Sequence, residues 1–434
     1  MAVAFSYYES GCYNGISWIM ERKGHLFVMK IIENDSINQQ SLGKLWIVLL
    51  LGSLTAFGPL SMDMYLPALP IVAVDLQTTT SLAQLSLTAC LLGLAVGQLI
   101  FGPLSDIRGR RKPLVSTLVI YAIASVLCAF STSIWVFIGL RFVQGVTGAA
   151  GIVIARASAR DMYSGKELTK FIALLALVNG AAPILAPISG GVILNFASWN
   201  VVFMVLGLIG LIMFVAVVFF LPETLPVENR SEGSLLAVFK AFGKLFRNRV
   251  FMGVAFTQAF ISASMFAYIA GSPFVLQNIY GVTPQQFSLL FAVNGIGIII
   301  AAQLTGKLSS TVSEVNLLLV GILMSLGGSG LLMLVVLNDW SLLIMAIALF
   351  FVVSSVGMVS TTAFSIGMQS QVKSAGSASA FLGLLPFIGG ALVSPLVGIA
   401  GDQTAWPMGI VIAFCSVMAV AIYVVFVKGH VHSE

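Results

Sequence analysis

The sequence predicts an all-α membrane protein of twelve transmembrane helices in two six-helix halves. Three observations predict it: an apolar composition, twelve runs of bilayer length, and an alternation of basic with non-basic loops. Of 434 residues, 59% are hydrophobic and 9% charged, against roughly a quarter charged in a soluble domain. A bilayer core needs about 20 apolar residues per helix, and in lipid only helices or closed barrels satisfy every backbone group. The runs are too long for barrel strands. They fall at 45–67, 82–104, 113–131, 134–155, 169–194, 199–221, 250–272, 285–306, 315–337, 340–363, 375–401 and 406–427.

Orientation follows from the bases, because short basic loops stay cytoplasmic. Of the 21 Lys and Arg, 20 lie in the tails or beside the loops that follow even-numbered spans, and the last is Arg141, inside the fourth span. The odd-numbered loops carry only Asp75, Asp339 and Asp402. Both termini are therefore expected in the cytoplasm. Trp135, Trp199, Trp340 and Trp406 each stand where a helix enters from outside, the level that indole rings favour.

The chain divides into a cytoplasmic tail (1–44), an N-terminal bundle (45–221), a linker (222–249), a C-terminal bundle (250–427) and a short tail (428–434). In the linker, Leu235, Phe239, Phe242 and Phe246 recur at helical spacing while Lys240, Lys244 and Arg247 take other positions. That is the pattern of a basic helix on the inner leaflet; a solvated linker with chance periodicity is the competing reading. Residues 1–28 fit no span or signal pattern, and Met29 is the expected start of translation. The halves echo each other: Gly102-Pro-Leu-Ser105 returns as Gly306-Lys-Leu-Ser309, and Pro187-x-x-Gly190 as Pro395-x-x-Gly398. Similar offsets at corresponding helices suggest a tandem six-helix repeat, the construction of transporters that rock two halves about a central site.

Several chemistries are excluded or disfavoured. Cys12, Cys90, Cys128 and Cys415 have neither disulfide nor metal spacing, and His25, His430 and His432 lie in the tails. No G-x-x-x-x-G-K-[ST] phosphate cradle occurs, so ATP is not hydrolysed by this chain. No basic face suited to nucleic acid is present. No cofactor or metal is called for, and a monomer in the lipid bilayer is the expected state.

Ionisable side chains at mid-helix cost about 2.5 to 3.5 kcal/mol each on insertion scales, so they are usually functional. Two qualify, Asp63 and Arg141. Counted from the external span ends at 1.5 Å per residue, their depths agree within about 5 Å, so the two can pair. A carboxylate in a poorly hydrated cavity holds its proton more tightly, and a nearby cation opposes this. A movable arginine or a cationic substrate would then switch its protonation, which is the physics of proton antiport. The competing readings are a static bridge between the first and fourth spans, or an Asp63 at the headgroup level. Arg156 and Arg160 read as positive-inside residues that snorkel to the interface.

In the fifth span, Pro183 and Pro187 remove backbone donors and Gly190 and Gly191 permit close approach, which reads as a bend or gating element. Gly93-x-x-x-Gly97 reads as a packing face. Tyr65, Gln144, Asn179, Gln258, Tyr268 and Asn294 are polar residues within spans, either lining a substrate cavity or joining helices. A passive channel or an intramembrane enzyme remains a rival reading; the absence of mid-span histidine and of a second mid-span acid argues against the enzyme.

The segment GPLSDIRGRRKP (102–113) resembles the signature loop of the major facilitator superfamily, RFVQGVTGAAG (141–151) the helix-4 motif of its drug:proton antiporters, and APILAPISGG (182–191) their helix-5 motif. MDMYLPALP (62–70), ARASARDMY (155–163) and PET (222–224) narrow the resemblance to the bicyclomycin and chloramphenicol resistance branch, over residues 44–428. It implies a major facilitator fold that exports small amphipathic drugs across the bacterial cytoplasmic membrane in exchange for protons, by alternating access. It assigns proton coupling to Asp63 and Arg141, and a conformational switch to Gly102, Asp106, Arg108, Gly109 and Arg110. Asp106 would latch one state by meeting a helix N-terminus or arginine of the other half; plain topogenic charge is the competing reading. Ala186 stands where many members have glycine. Export of an endogenous metabolite or small peptide is the alternative function.

Overall fold

The computed structural model describes residues 46–230, 243, 245–246, 248–369, 371 and 375–428, and the described residues from Leu50 onward form one compact unit. All regular structure among the described residues is helical. Eleven helices there are long and apolar enough to cross a membrane, and Gly165–Ile193 adds a continuous 29-residue helix where the fifth span was expected. Residues 1–28, most of the amphipathic linker pattern, and His430 and His432 lie outside the described residues.

The first span departs most from expectation. It runs from Trp46–Thr55 through Phe57–Asp63, a 3-10 turn Leu66–Ala68 and Leu69–Asp75. It therefore ends at Asp75 rather than at 67. The interruptions follow from proline, which has no N–H to give the carbonyl four residues back: Pro59 leaves Thr55 without that donor, Pro67 leaves Asp63, and Pro70 leaves Leu66. Pro67 and Pro70 each sit in the first turn of the next segment, where a missing N–H costs little. Asp63 consequently ends one helical segment well inside the span, which continues to Asp75.

Glycine sets the closest helix approaches. A β-carbon on Gly93 would collide with the Phe142 carbonyl oxygen, one on Gly97 with that of Val146, and one on Gly145 with that of Cys90. The second and fourth spans thus pack backbone to backbone, as expected for a small-residue face. Contacts between the halves are concentrated where the second span (Thr80–Arg108) meets the eleventh (Ala375–Val397) and the fifth meets the eighth (Pro284–Leu308). These two pairings are counterparts under the repeat read from sequence. The echo is also local: Ser105 donates to the Gly102 carbonyl at 2.8 Å and Ser309 to that of Gly306 at 2.9 Å.

Trp199 opens the sixth span, where it was expected. Its ring is buried, and its indole N–H donates to Asp75 Oδ2 at 2.7 Å, fastening the sixth span to the end of the first. Trp135 is largely exposed, as an interfacial anchor should be.

Candidate functional site

A cavity of about 400 Å³ lies among the first, second, fourth and fifth spans on one side and the seventh, eighth, tenth and eleventh on the other. Asp63 reaches it from the broken first span, beside Gly58, Pro59 and Met62. Its walls are mostly apolar, with Leu94, Ile152, Phe266, Phe291, Val353 and Phe387 among them. Across from the first span, Asn294 donates to the Tyr268 hydroxyl at 2.8 Å, and the Tyr268 ring stacks on Phe291 with centroids 5.6 Å apart. Of the six predicted cavity residues, Asn179, Tyr268 and Asn294 line this space.

Tyr65 and Gln144 do something else: they hold Arg141. The guanidinium, fully buried, lies over the Tyr65 ring at 4.3 Å and faces Phe203 at 5.6 Å. Its Nη1 donates to Gln144 Oε1, Gln144 Nε2 donates to Ser125 Oγ at 2.8 Å, and Tyr65 OH meets Ser86 Oγ at 2.9 Å. Gln258 lies outside the lining of the cavity, and its Oε1 is buried without a hydrogen-bond partner.

The depth argument allowed Asp63 and Arg141 to pair directly, and they do not. Among the described residues, ion pairs join Arg110 to Asp106, Arg110 to Asp161 and Arg230 to Glu223. Asp63 Oδ1 and Arg141 Nε and Nη2 are buried without a hydrogen-bond partner. Asp63 faces the cavity, while Arg141 is held behind it by aromatic rings. Any coupling between them acts through the low-dielectric interior, where charges are felt beyond bonding distance.

Close glycine contact explains where the fifth span sits. Gly190 abuts the backbone of Met64, and a β-carbon on Gly191 would press on Ser288 Oγ and lie 3.3 Å from the Pro284 carbonyl oxygen. Ser288 Oγ also approaches the Pro187 carbonyl oxygen at 2.8 Å. Pro183 lines the cavity. The helix stays unbroken through both prolines, and Gly190 and Gly191 form its contact surface with the first and eighth spans.

The signature loop forms a separate cluster. Gly109 takes φ +87°, which glycine adopts without a side-chain penalty. Arg110, nearly buried, donates to Asp106, to Asp161 Oδ2 at 2.8 Å and to Ser105 Oγ at 2.8 Å. Burial works against its charge, but the hydrogen bonds and charges of Asp161 and Asp106 outweigh this and raise its pKa above the ordinary arginine value. Glu223 accepts the backbone N–H of Arg110 at 2.8 Å and of Arg111 at 3.2 Å, serving the unpaired donors at the start of the third span. Asp106 bonds to Arg110 within its own half, and Ser377 and Ser379, near the start of the eleventh span in the other half, border the same space as Asp106. Gly102, Asp106 and Arg110 border a second space of about 440 Å³; Arg108 and Gly109 do not.

Arg156, read from the sequence as a positive-inside residue that snorkels to the interface, lies against the cavity instead. It borders both spaces, together with Gln98 and Gly383. The available signal was spacing: Ile152 and Arg156 share a face at i, i+4. At the opposite end the halves are joined by hydrogen bonds, from Gln84 Nε2 to the Ala270 carbonyl at 3.0 Å, Ser81 Oγ to Pro395 at 3.2 Å, and Gln277 Nε2 to Pro67 at 3.2 Å. The central cavity thus adjoins the space at the signature-loop end and is closed by contacts at the other.

Residues 51–394 match the family model described as Major Facilitator Superfamily. The chain is 44% identical over 377 residues to an uncharacterized MFS-type transporter, YdgK, of Bacillus subtilis, covering 86% of this chain and 94% of that one. It is 32% identical over 387 residues to a bicyclomycin resistance protein homolog of Haemophilus influenzae, covering 89% and 97%. The fold is similar to that of the nucleoside transporter NupG, with a TM-score of 0.73 at 12% identity over 88% of this chain and 100% of that one. At that identity the likeness speaks of fold alone.

Proposed function

The chain belongs to the Major Facilitator Superfamily, within its bicyclomycin and chloramphenicol resistance branch, and from that membership we propose that it is a proton-coupled exporter of small amphipathic drugs in the bacterial cytoplasmic membrane. It is a multi-pass transporter and not an enzyme. In this reading the signature-loop end faces the cytoplasm, both termini lie there, and the two six-helix halves rock about the central cavity. Substrate enters from the cytoplasm or inner leaflet. Proton binding from outside at Asp63 favours the return step, and Arg141 sets how readily that proton is held.

The observation that carries this reading is the position of Asp63: an acid at a mid-span helix break, lining a largely apolar cavity. Drug uptake into inside-out proteoliposomes under an imposed pH gradient tests it. Wild type should accumulate drug against its concentration gradient, while Asp63→Asn should retain only downhill exchange. Uphill accumulation by Asp63→Asn would remove Asp63 from the coupling role.

A further inference from the structure

The cavity lining contains one acid, Asp63, and one base, Arg156. Arg156 is exposed to this space, and it forms no hydrogen bond or ion pair with any described residue. It differs in this from Arg110, whose donors are taken up by Asp106, Asp161 and Ser105. Gln98, on the neighbouring second span, borders the same two spaces and likewise makes no hydrogen bond to a described residue.

The two charges stand at different depths. Ser61 lies beside Gly148 and Leu54 beside Gly151, so the first and fourth spans run antiparallel and Asp63 falls near the level of residues 145–147. Arg156 is about ten residues farther along, roughly 15 Å of helix rise. A long side chain in a helix leans toward the N-terminus, which brings the guanidinium back toward Asp63. Between them the walls are apolar. A guanidinium offers a fork of donors shaped for a carboxylate or phosphate, and a facing amide adds another.

We propose that Arg156 with Gln98 forms the acid-recognising end of the cavity, so that the preferred cargo is an amphipathic organic acid or zwitterion rather than a lipophilic cation. This rests on the export reading above and names the class of molecule exported. A basic group on a zwitterion would point toward Asp63 and its acidic group toward Arg156. A permanently cationic molecule meets an unneutralised guanidinium on entry, and the like charges disfavour it.

Full-length protein in nanodiscs, titrated with three fluorescent probes on one scaffold, tests this: dansylglycine (anion), dansylamide (neutral) and dansylcadaverine (cation). Wild type should bind the anion about tenfold more tightly than the cation, the size of one charged hydrogen bond. Arg156→Gln should lower the anion-to-neutral affinity ratio about tenfold, Arg156→Lys by less, and Arg156→Glu should reverse the order of anion and cation. Thermal unfolding of each variant identifies any that fails to fold, and Arg156→Lys and Gln98→Leu then carry the comparison. Unchanged ratios in folded variants, or a wild type that favours the cation, overturn the proposal. Proton-driven uptake of dansylamide is measured in parallel. If it is absent while the binding ratios behave as expected, the export reading falls and the acid site stands; if it is present while the ratios do not move, the acid site alone falls. A wild type that binds none of the probes removes both.

Discussion

Gly190 of the fifth span lies against the backbone of Met64, so close that no β-carbon fits between them. Met64 follows Asp63 directly, and the first span breaks at that point. A methyl group at position 190 must therefore displace the segment that carries the acid, and overpacking of this kind costs about 1 to 3 kcal/mol. Gly190→Ala is expected to insert normally, to unfold at a lower temperature, and to lose at least about tenfold in gradient-driven uptake, as 1.4 kcal/mol corresponds to a factor of ten. Gly180, on the same helix, is the control: its β-carbon would meet Ile299 at an ordinary 3.6 Å. Equal behaviour of Gly190→Ala and Gly180→Ala would show that the tight contact is not what fixes the site.

Arg141 is held by rings more than by acids, and that predicts an unusual ranking of substitutions. Tyr65→Phe keeps the face under the guanidinium at 4.3 Å and loses only the hydroxyl bond to Ser86; a small effect is expected. Tyr65→Leu removes a desolvated cation–π contact, about 2 kcal/mol, and should impair transport severely. Arg141→Lys keeps the charge but not the planar fork that reaches Gln144, so it should resemble Arg141→Ala in uptake assays. Rescue of uptake by lysine would mean that charge alone matters at this position.

Arg110 gathers Ser105 and Asp106 from the second span and Asp161 from the fourth, while Glu223 takes its backbone N–H. Arg110 is nearly buried while Asp106 and Asp161 keep part of their side chains in solvent, so losing the arginine costs less than the roughly 3 to 5 kcal/mol of a fully buried pair but more than an exposed charge. Arg110→Ala should therefore lower the unfolding temperature more than Arg108→Ala, whose side chain takes no part in this cluster. Asp161→Asn, which keeps an acceptor oxygen, should fall between them. A double-mutant cycle between Arg110 and Asp161 read by thermal unfolding checks the coupling, and additive effects would show that the two do not cooperate.

Much of this was legible because hydropathy and charge placement are written locally. The helices follow the apolar runs to within a few residues at most ends, and the rarity of mid-span charge was enough to select Asp63 and Arg141. What escaped depends on neighbours distant in sequence. Pro67 and Pro70 look like terminators, yet each opens a new helical segment, so the first span was cut short and the acid placed too near its end. The partners of Arg141 come from three other spans, through Tyr65, Ser125 by way of Gln144, and Phe203. No periodicity announces such a group. Gln144 looked like a cavity residue for the same reason that Arg156 did not: whether a helix face meets lipid, cavity or protein is decided by packing, not by composition.

Gly398 should control the closed end of the cavity. Its position against Ser81 and Gln84 leaves no room for a side chain: a β-carbon would lie 2.9 Å from the Ser81 backbone and collide with Gln84 Oε1. Around it, Ser81 bonds the Pro395 carbonyl of the eleventh span and Gln84 bonds that of Ala270 in the seventh, so a larger residue, pressing on both Ser81 and Gln84, would push the second span away from these two and break both bonds. Gly398→Leu is therefore expected to favour a form open at this end. The measurement is labelling of Asn294→Cys, a cavity position, by a membrane-impermeant maleimide added outside right-side-out vesicles. Labelling should quicken at least about tenfold over the Gly398 parent, as expected if the two bonds contribute about 1.4 kcal/mol together. Gly306→Ala, where a β-carbon meets nothing within 4 Å, should leave the rate unchanged. If Gly398→Leu labels no faster than its parent, the bonds between these spans are not what keeps that end shut.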